Sequence, residues 1–222
     1  MSLTTAKDYL LLTERIDAKP VLRTRFTTQA YLVLATVLDL IDQRVLAVAE
    51  GQLRIADTVK FDALPQYLNE LKVRLQTDLR QDTRVKTSLK VVTSWNIVND
   101  IYDGIGAELE AANLVKRVIF QNNLKPHVIY EPQDASRQQV RTDLAQRVTA
   151  GTLTPTDINL WLILRQQDAL KYLFADSELA ALTTAFDRQT RQSPAAATAQ
   201  SLVTTAGEII QMKKFEMDGW LS

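Results

Sequence analysis

The chain has no cysteine among its 222 residues, which excludes disulfides and thiolate metal sites and suits a reducing compartment. It has a single histidine, His127. A Ser-His-Asp arrangement would have to use that residue, yet it follows Pro126 at the start of an apolar run, and no Gly-x-Ser-x-Gly elbow occurs. Histidine-centred acid–base chemistry is therefore not expected. Charge of one sign is also missing: 26 basic and 26 acidic residues cancel, so no global field draws the chain to nucleic acid or anionic lipid. Long apolar runs are absent too. The longest, Ala30–Ile41, carries Asp39 and is too short to span a bilayer. The opening MSLTTAKDYLLLTERI lacks the basic start and small-residue cleavage site of a signal peptide. No low-complexity linker divides the chain. The expectation is one soluble, cytoplasmic domain covering residues 1–222, with an ordinary hydrophobic share of 46%.

What is present is organised around residues 27–57. Thr27 and Thr28 are candidate N-caps for a helix that, from Ala30 to Ile41, has only Thr36 and Asp39 as polar residues. A helix apolar round its circumference belongs inside a domain. Val45–Ala49, a turn at Glu50-Gly51-Gln52, and Leu53 with Ile55 then read as a hairpin. Before this unit, Thr5-Ala6-Lys7-Asp8 has capping-box spacing ahead of Tyr9–Leu12. After it, Tyr67, Leu68, Leu71, Leu75 and Leu79 recur at helical steps. Thr93 or Ser94 can cap a helix through Ile97, Val98, Ile101, Ile105 and Leu109, where Gly104 and Gly106 predict close packing. Asn113 ends it. A second hairpin follows over Leu114–Tyr130, turning at Gln121-Asn122-Asn123.

Asp134 can cap a helix stopped by Gly151, and Thr154-Pro155-Thr156-Asp157 starts a buried one running to Phe174. Glu178–Gln192 is amphipathic, and Ser201–Met212 reads as a surface helix. Trp95 and Trp161 fall on apolar faces and read as core, while Trp220 reads as exposed or held by a partner chain. The fold class is mainly α, a single globular helical domain with two β-hairpins.

Two constellations carry charge. Lys72, Arg74, Arg80, Arg84, Lys86 and Lys90 stand against Asp78 and Asp82, a surplus of four positive charges. A basic helical face of this kind can lie on anionic lipid, or can be a solvated helix laced with weak ion pairs. Arg23 and Arg25 form a smaller anion-surface candidate, set against ordinary loop charges. Asn99, Asp100 and Asp103 share one helical turn and could in principle hold a divalent cation through oxygen ligands. A diphosphate-using synthase needs a second acidic cluster facing the first, and none of matching spacing appears. Neither a metal nor a cofactor is expected. Helix-then-hairpin, met twice, is also how winged-helix DNA-binding domains are built. The helices before the hairpins, Ala30–Ile41 and Ile97–Leu109, carry no Lys or Arg, so a nucleic-acid partner is the alternative and not the expectation.

In this order of elements the chain resembles the Golgi phosphoprotein 3 family, peripheral membrane proteins with bacterial relatives. The resemblance rests on Leu3–Leu12, on Val37–Val48, on Ile105–Val118, on Tyr130–Val148 and on Pro155–Phe174. It implies a mostly helical domain with hairpins, no enzymatic activity, phosphoinositide head-group binding at the membrane surface, and an adaptor role. The family's head-group residues, a Trp and three Arg, fall near Thr24, Val33, Asn99 and Tyr102, none of them basic. Head-group recognition therefore does not carry over residue by residue. What remains is anionic membrane lipid as a partner through the basic candidates, with a peripheral place at the membrane's inner face. A protein partner or self-association through Leu114–Tyr130 is the other possibility.

Overall fold

The computed structural model describes residues 2–14, 22–121 and 126–219, excepting the side chains of residues 22–24, 120, 218 and 219. Among them are ten helices and two antiparallel two-stranded sheets, so the mainly α class with two hairpins stands. The turn expected at Gln121-Asn122-Asn123 lies largely outside the described residues, as does Trp220.

Helix α2 (Leu22–Asp42) is the axis of the fold, and every residue from Gln29 to Leu40 is buried. It packs against α1 (Thr4–Thr13), α6 (Trp95–Ala111), α8 (Pro155–Gln166) and α10 (Pro194–Gly219). Leu34, Leu38, Trp161 and Leu164 lie together in one buried cluster, as the two apolar runs predict. The helix begins at Leu22, so Thr27 and Thr28 stand inside it and do not cap it. The capping box expected at Thr5 to Asp8 is also absent. Helix α1 starts after Leu3 with no side-chain cap of its own. Its orphan N–H groups are met instead by Asp39 of α2, whose carboxylate accepts from Thr5 N and Ala6 N at 3.0 Å each.

The first hairpin, β1 (Leu46–Ala49) and β2 (Gln52–Ile55), turns through Glu50 and Gly51, both left-handed at φ 53° and 73°. Two positive φ values in a two-residue loop match the right-handed twist of the strands. Leu53 N donates to Thr83 O at 2.7 Å and Val85 N to Gly51 O at 2.9 Å, tying the hairpin to the segment that follows α4 (Asn69–Gln81). Between hairpin and α4 lies short α3 (Thr58–Asp62), capped by Asp57 through Lys60 N.

The second hairpin, β3 (Val115–Gln121) and β4 (Pro126–Pro132), seats Tyr130 on α6. A Cβ on Gly106 would lie 2.1 Å from the Tyr130 ring, and one on Gly104 would lie 2.1 Å from Tyr67. The close packing expected of these glycines is therefore real.

Helix α7 (Asp134–Ala150) ends at Gly151 with φ 77°. Its Arg147 pairs with the buried Asp157 at 2.8 Å, while Asp157 and Thr154 form the capping box of α8. That helix stops at Gln166, earlier than expected. Asp168 turns left-handed at φ 55°, and Leu170–Tyr172 is a 3₁₀ turn. Helix α9 (Asp176–Thr190) buries Leu182 and Phe186, and the Phe186 ring stacks on Trp161 at 5.2 Å. Helix α10 is longer and deeper than the surface helix expected there, with Leu202, Val203, Ala206 and Ile210 buried against the core.

Candidate functional site at the second hairpin

The basic segment Lys72–Lys90 does not form one helical face. Helix α4 ends at Gln81 and Asp82 is extended at φ −154°; α5 (Val85–Ser88) and a 3₁₀ turn over Leu89–Thr93 follow. Three of its cations are engaged locally. Lys72 donates to Asp62 O at 2.8 Å and Arg74 pairs with Asp78 at 2.9 Å. Arg84 forks onto Asp82, whose carboxyl is held well below its ordinary range by those bonds and by the Thr87 hydroxyl. Arg80, Lys86 and Lys90 are exposed and form no ion pair among the described residues.

Arg25 is built into the structure. It is half-buried on α2, donates to Val128 O of β4 at 3.2 Å, and lies 5.7 Å from the Tyr102 ring centroid. The side chains of Arg23 and Thr24 lie outside the described residues. Val33 is fully buried and Asn99 is exposed on α6. Tyr102 is buried, and its hydroxyl accepts from Tyr130 N at 3.1 Å. Its phenol is pushed above its ordinary range, first by burial and then by the nearby Glu14.

Glu14 is the other ionisable group here. Burial raises its carboxyl to about 7, against the lowering pull of Arg25, the Tyr102 hydroxyl and Arg137. Arg137 of α7 donates from its side chain to the carbonyls of Leu11 and Glu14. The hairpin is thus joined to α2 and α6 through Arg25 and Tyr102, and α7 is joined to the end of α1.

Two large apolar side chains linked to this network are exposed. Trp95, expected in the core, is 42% exposed. It sits in the first turn of α6, where helical spacing aims it beside the bundle, and its ring lies 5.3 Å from that of the buried Phe26. Phe26 follows Arg25, and Arg25 holds Val128, which pairs with Ile119. Ile119 is 63% exposed. Two positions back along β3, Arg117 is exposed on the same strand face, near Asp103 of α6, while Lys116 is exposed on the opposite face across from Glu131. Spacing alone could not reveal the links between Trp95 and Ile119, because they run through α2 and β4.

His127 is half-buried on β4 opposite Phe120. Among the described residues no group of three or more His, Asp and Glu is placed to hold a metal ion, and no helix is long and apolar enough to cross a membrane. No family model and no curated protein matches this chain.

Proposed function

We propose that the protein is a non-enzymatic module that docks on an anionic membrane surface in an adaptor-type role, as the Golgi phosphoprotein 3 resemblance implies. The observation that supports this reading best is the exposure of Trp95 and of Ile119, linked through Phe26, Arg25 and Val128, with Arg117 on the strand face of Ile119. Tryptophan favours the membrane–water interface, where one side of the ring is apolar and the other wet. An isoleucine on a hairpin adds apolar area, and each nearby basic residue contributes about 1 kcal/mol against anionic lipid. Together these favour a weak, salt-sensitive association without recognition of one head group. The winged-helix alternative is disfavoured by the helix it would lay on DNA. Helix α6 carries no Lys or Arg of its own and shows exposed Asp100, Asp103 and Glu110, of which Arg25 and Arg117 act on Asp103, so it lacks the cations a recognition helix uses on phosphate.

The test is co-sedimentation with phosphatidylcholine vesicles, with and without phosphatidylserine, across a salt series, beside a duplex-DNA shift assay. Binding to the anionic vesicles that weakens with salt, and falls with Trp95→Ala and Ile119→Asp, is the expected result. Loss on Arg80→Gln with Lys86→Gln alone would move the contact to the α4–α5 segment. DNA binding without vesicle binding would support the winged-helix reading, and binding to neither would leave a protein partner at the hairpin.

A further inference from the structure

A second feature lies where α2, α8 and α10 converge on a cavity of about 290 Å³. Its floor exists because residue 207 is glycine: a Cβ there would stand 2.8 Å from Gln166 Nε2 and 3.2 Å from the Tyr31 hydroxyl. Tyr31 is only 4% exposed, lines the cavity, and makes no hydrogen bond among the described residues. The Tyr31 ring is buried while its hydroxyl reaches the cavity, where it can donate to or accept from whatever fills it. Gln167 is fixed behind it by exchanging hydrogen bonds with the Tyr9 hydroxyl at 2.8–3.0 Å. Gln166 and Gln211 add amide groups, Ile210 adds one apolar wall, and Lys214 supplies a cation. Lys213 is paired with Glu216 at 2.8 Å, whereas Lys214 has no ion pair among the described residues, and no carboxylate lines the cavity.

We infer that this cavity binds a small polyhydroxylated monocarboxylate, of the sugar-acid class. Phenol and primary amides both donate and accept, which is what a row of hydroxyl groups requires. One ammonium and no acid select a single negative charge. A phosphate dianion fits less well. The cavity is lined from the interior of α2 and α10 and from the last residue of α8. The lining residues of α2 and α10 have their backbone N–H groups within helices, and the carbonyl end of α8 carries partial negative charge. The volume lies at the small end of ligand sites, which suits one sugar-sized molecule.

Titration calorimetry of the full chain with D-glucuronate, D-glucose and glucose 6-phosphate tests this. Glucuronate should bind, with glucose and glucose 6-phosphate each weaker. Lys214→Gln should weaken glucuronate about tenfold, the scale of a charge-assisted hydrogen bond, while Lys213→Gln should leave it unchanged. Tyr31→Phe keeps the ring in the core and should lower affinity severalfold at unchanged melting temperature. No saturation by glucuronate up to about 10 mM, an affinity weaker than roughly 3 kcal/mol, would overturn the inference. So would equal binding by the Lys214→Gln protein, or tighter binding of glucose 6-phosphate.

Discussion

The carboxylate of Asp39 caps helix α1 from 34 residues away, accepting the N–H groups of Thr5 and Ala6 at 3.0 Å each. Removing it leaves two buried donors without partners, each worth roughly 1–3 kcal/mol. Asp39→Ala is therefore expected to destabilise by more than the ~1 kcal/mol typical of a lost surface cap. Asp39→Asn, which keeps one accepting oxygen, should lose less. Urea denaturation midpoints of the two variants measure this. Equal losses would show that the charge, and not the geometry, carries the cap.

The same residue makes a prediction about pH. Burial raises Asp39 to about 6, despite the lowering effect of its N–H bonds, and raises Asp8 and Glu14 to about 7 each. A carboxyl whose folded pKa lies above its unfolded value holds its proton longer in the fold. Between about pH 4 and 7 the native state then binds more protons, so stability falls as pH rises through that window. Each such group contributes at most about 1.4 kcal/mol per pH unit. The urea midpoint should be higher at pH 5 than at pH 7.5, and Asp39→Asn should flatten part of that slope. A midpoint that climbs with pH would contradict the assignment.

Leu38→Ala is expected to cost about 2–5 kcal/mol, from lost burial and the cavity left behind. Leu38 is buried on α2 in the cluster that contains Trp161 and Leu164. A chemical-denaturation midpoint unchanged by the substitution would remove the central helix from the core.

Gly106→Ala should destabilise by roughly 1–3 kcal/mol through overpacking, although alanine is the better helix former by about 1 kcal/mol. Its Cβ would meet the Tyr130 ring at 2.1 Å. Pairing the change with Tyr130→Leu should recover part of the loss, since contacting residues couple in a double-mutant cycle. Additive losses would mean that Tyr130 is not the obstruction.

What was legible in the sequence was what neighbours along the chain decide. Thr154, Pro155 and Asp157 specify the start of α8 within four residues, and that start is where they place it. Gly104 and Gly106 announce close packing because nothing else justifies two glycines in a helix. The start of α1 was not legible, because its cap comes from another element. The end of α8 has no local signal, because Asp168 adopts a left-handed backbone in a run without glycine or proline. Helix α10 reads as a surface helix because alanine and threonine signal little burial. Those small side chains are what let it approach α8 and α2 closely, as at Gly207 against Gln166 and Tyr31. Trp95 has core spacing but stands in the first turn of its helix. The sugar-acid cavity draws Tyr31, Gln166 and Lys214 from three distant elements and leaves no local pattern.

Helix α10 has a consequence for how the chain is made. It covers α2, α8 and the 3₁₀ turn over Leu89–Thr93, all synthesised before it. Until Leu202, Val203, Ala206 and Ile210 have left the ribosome, the surfaces they bury stay open to water. A nascent chain that has emerged only as far as α9 would therefore expose the apolar surfaces that α10 later covers, the kind of surface that chaperones hold and that aggregates when they do not.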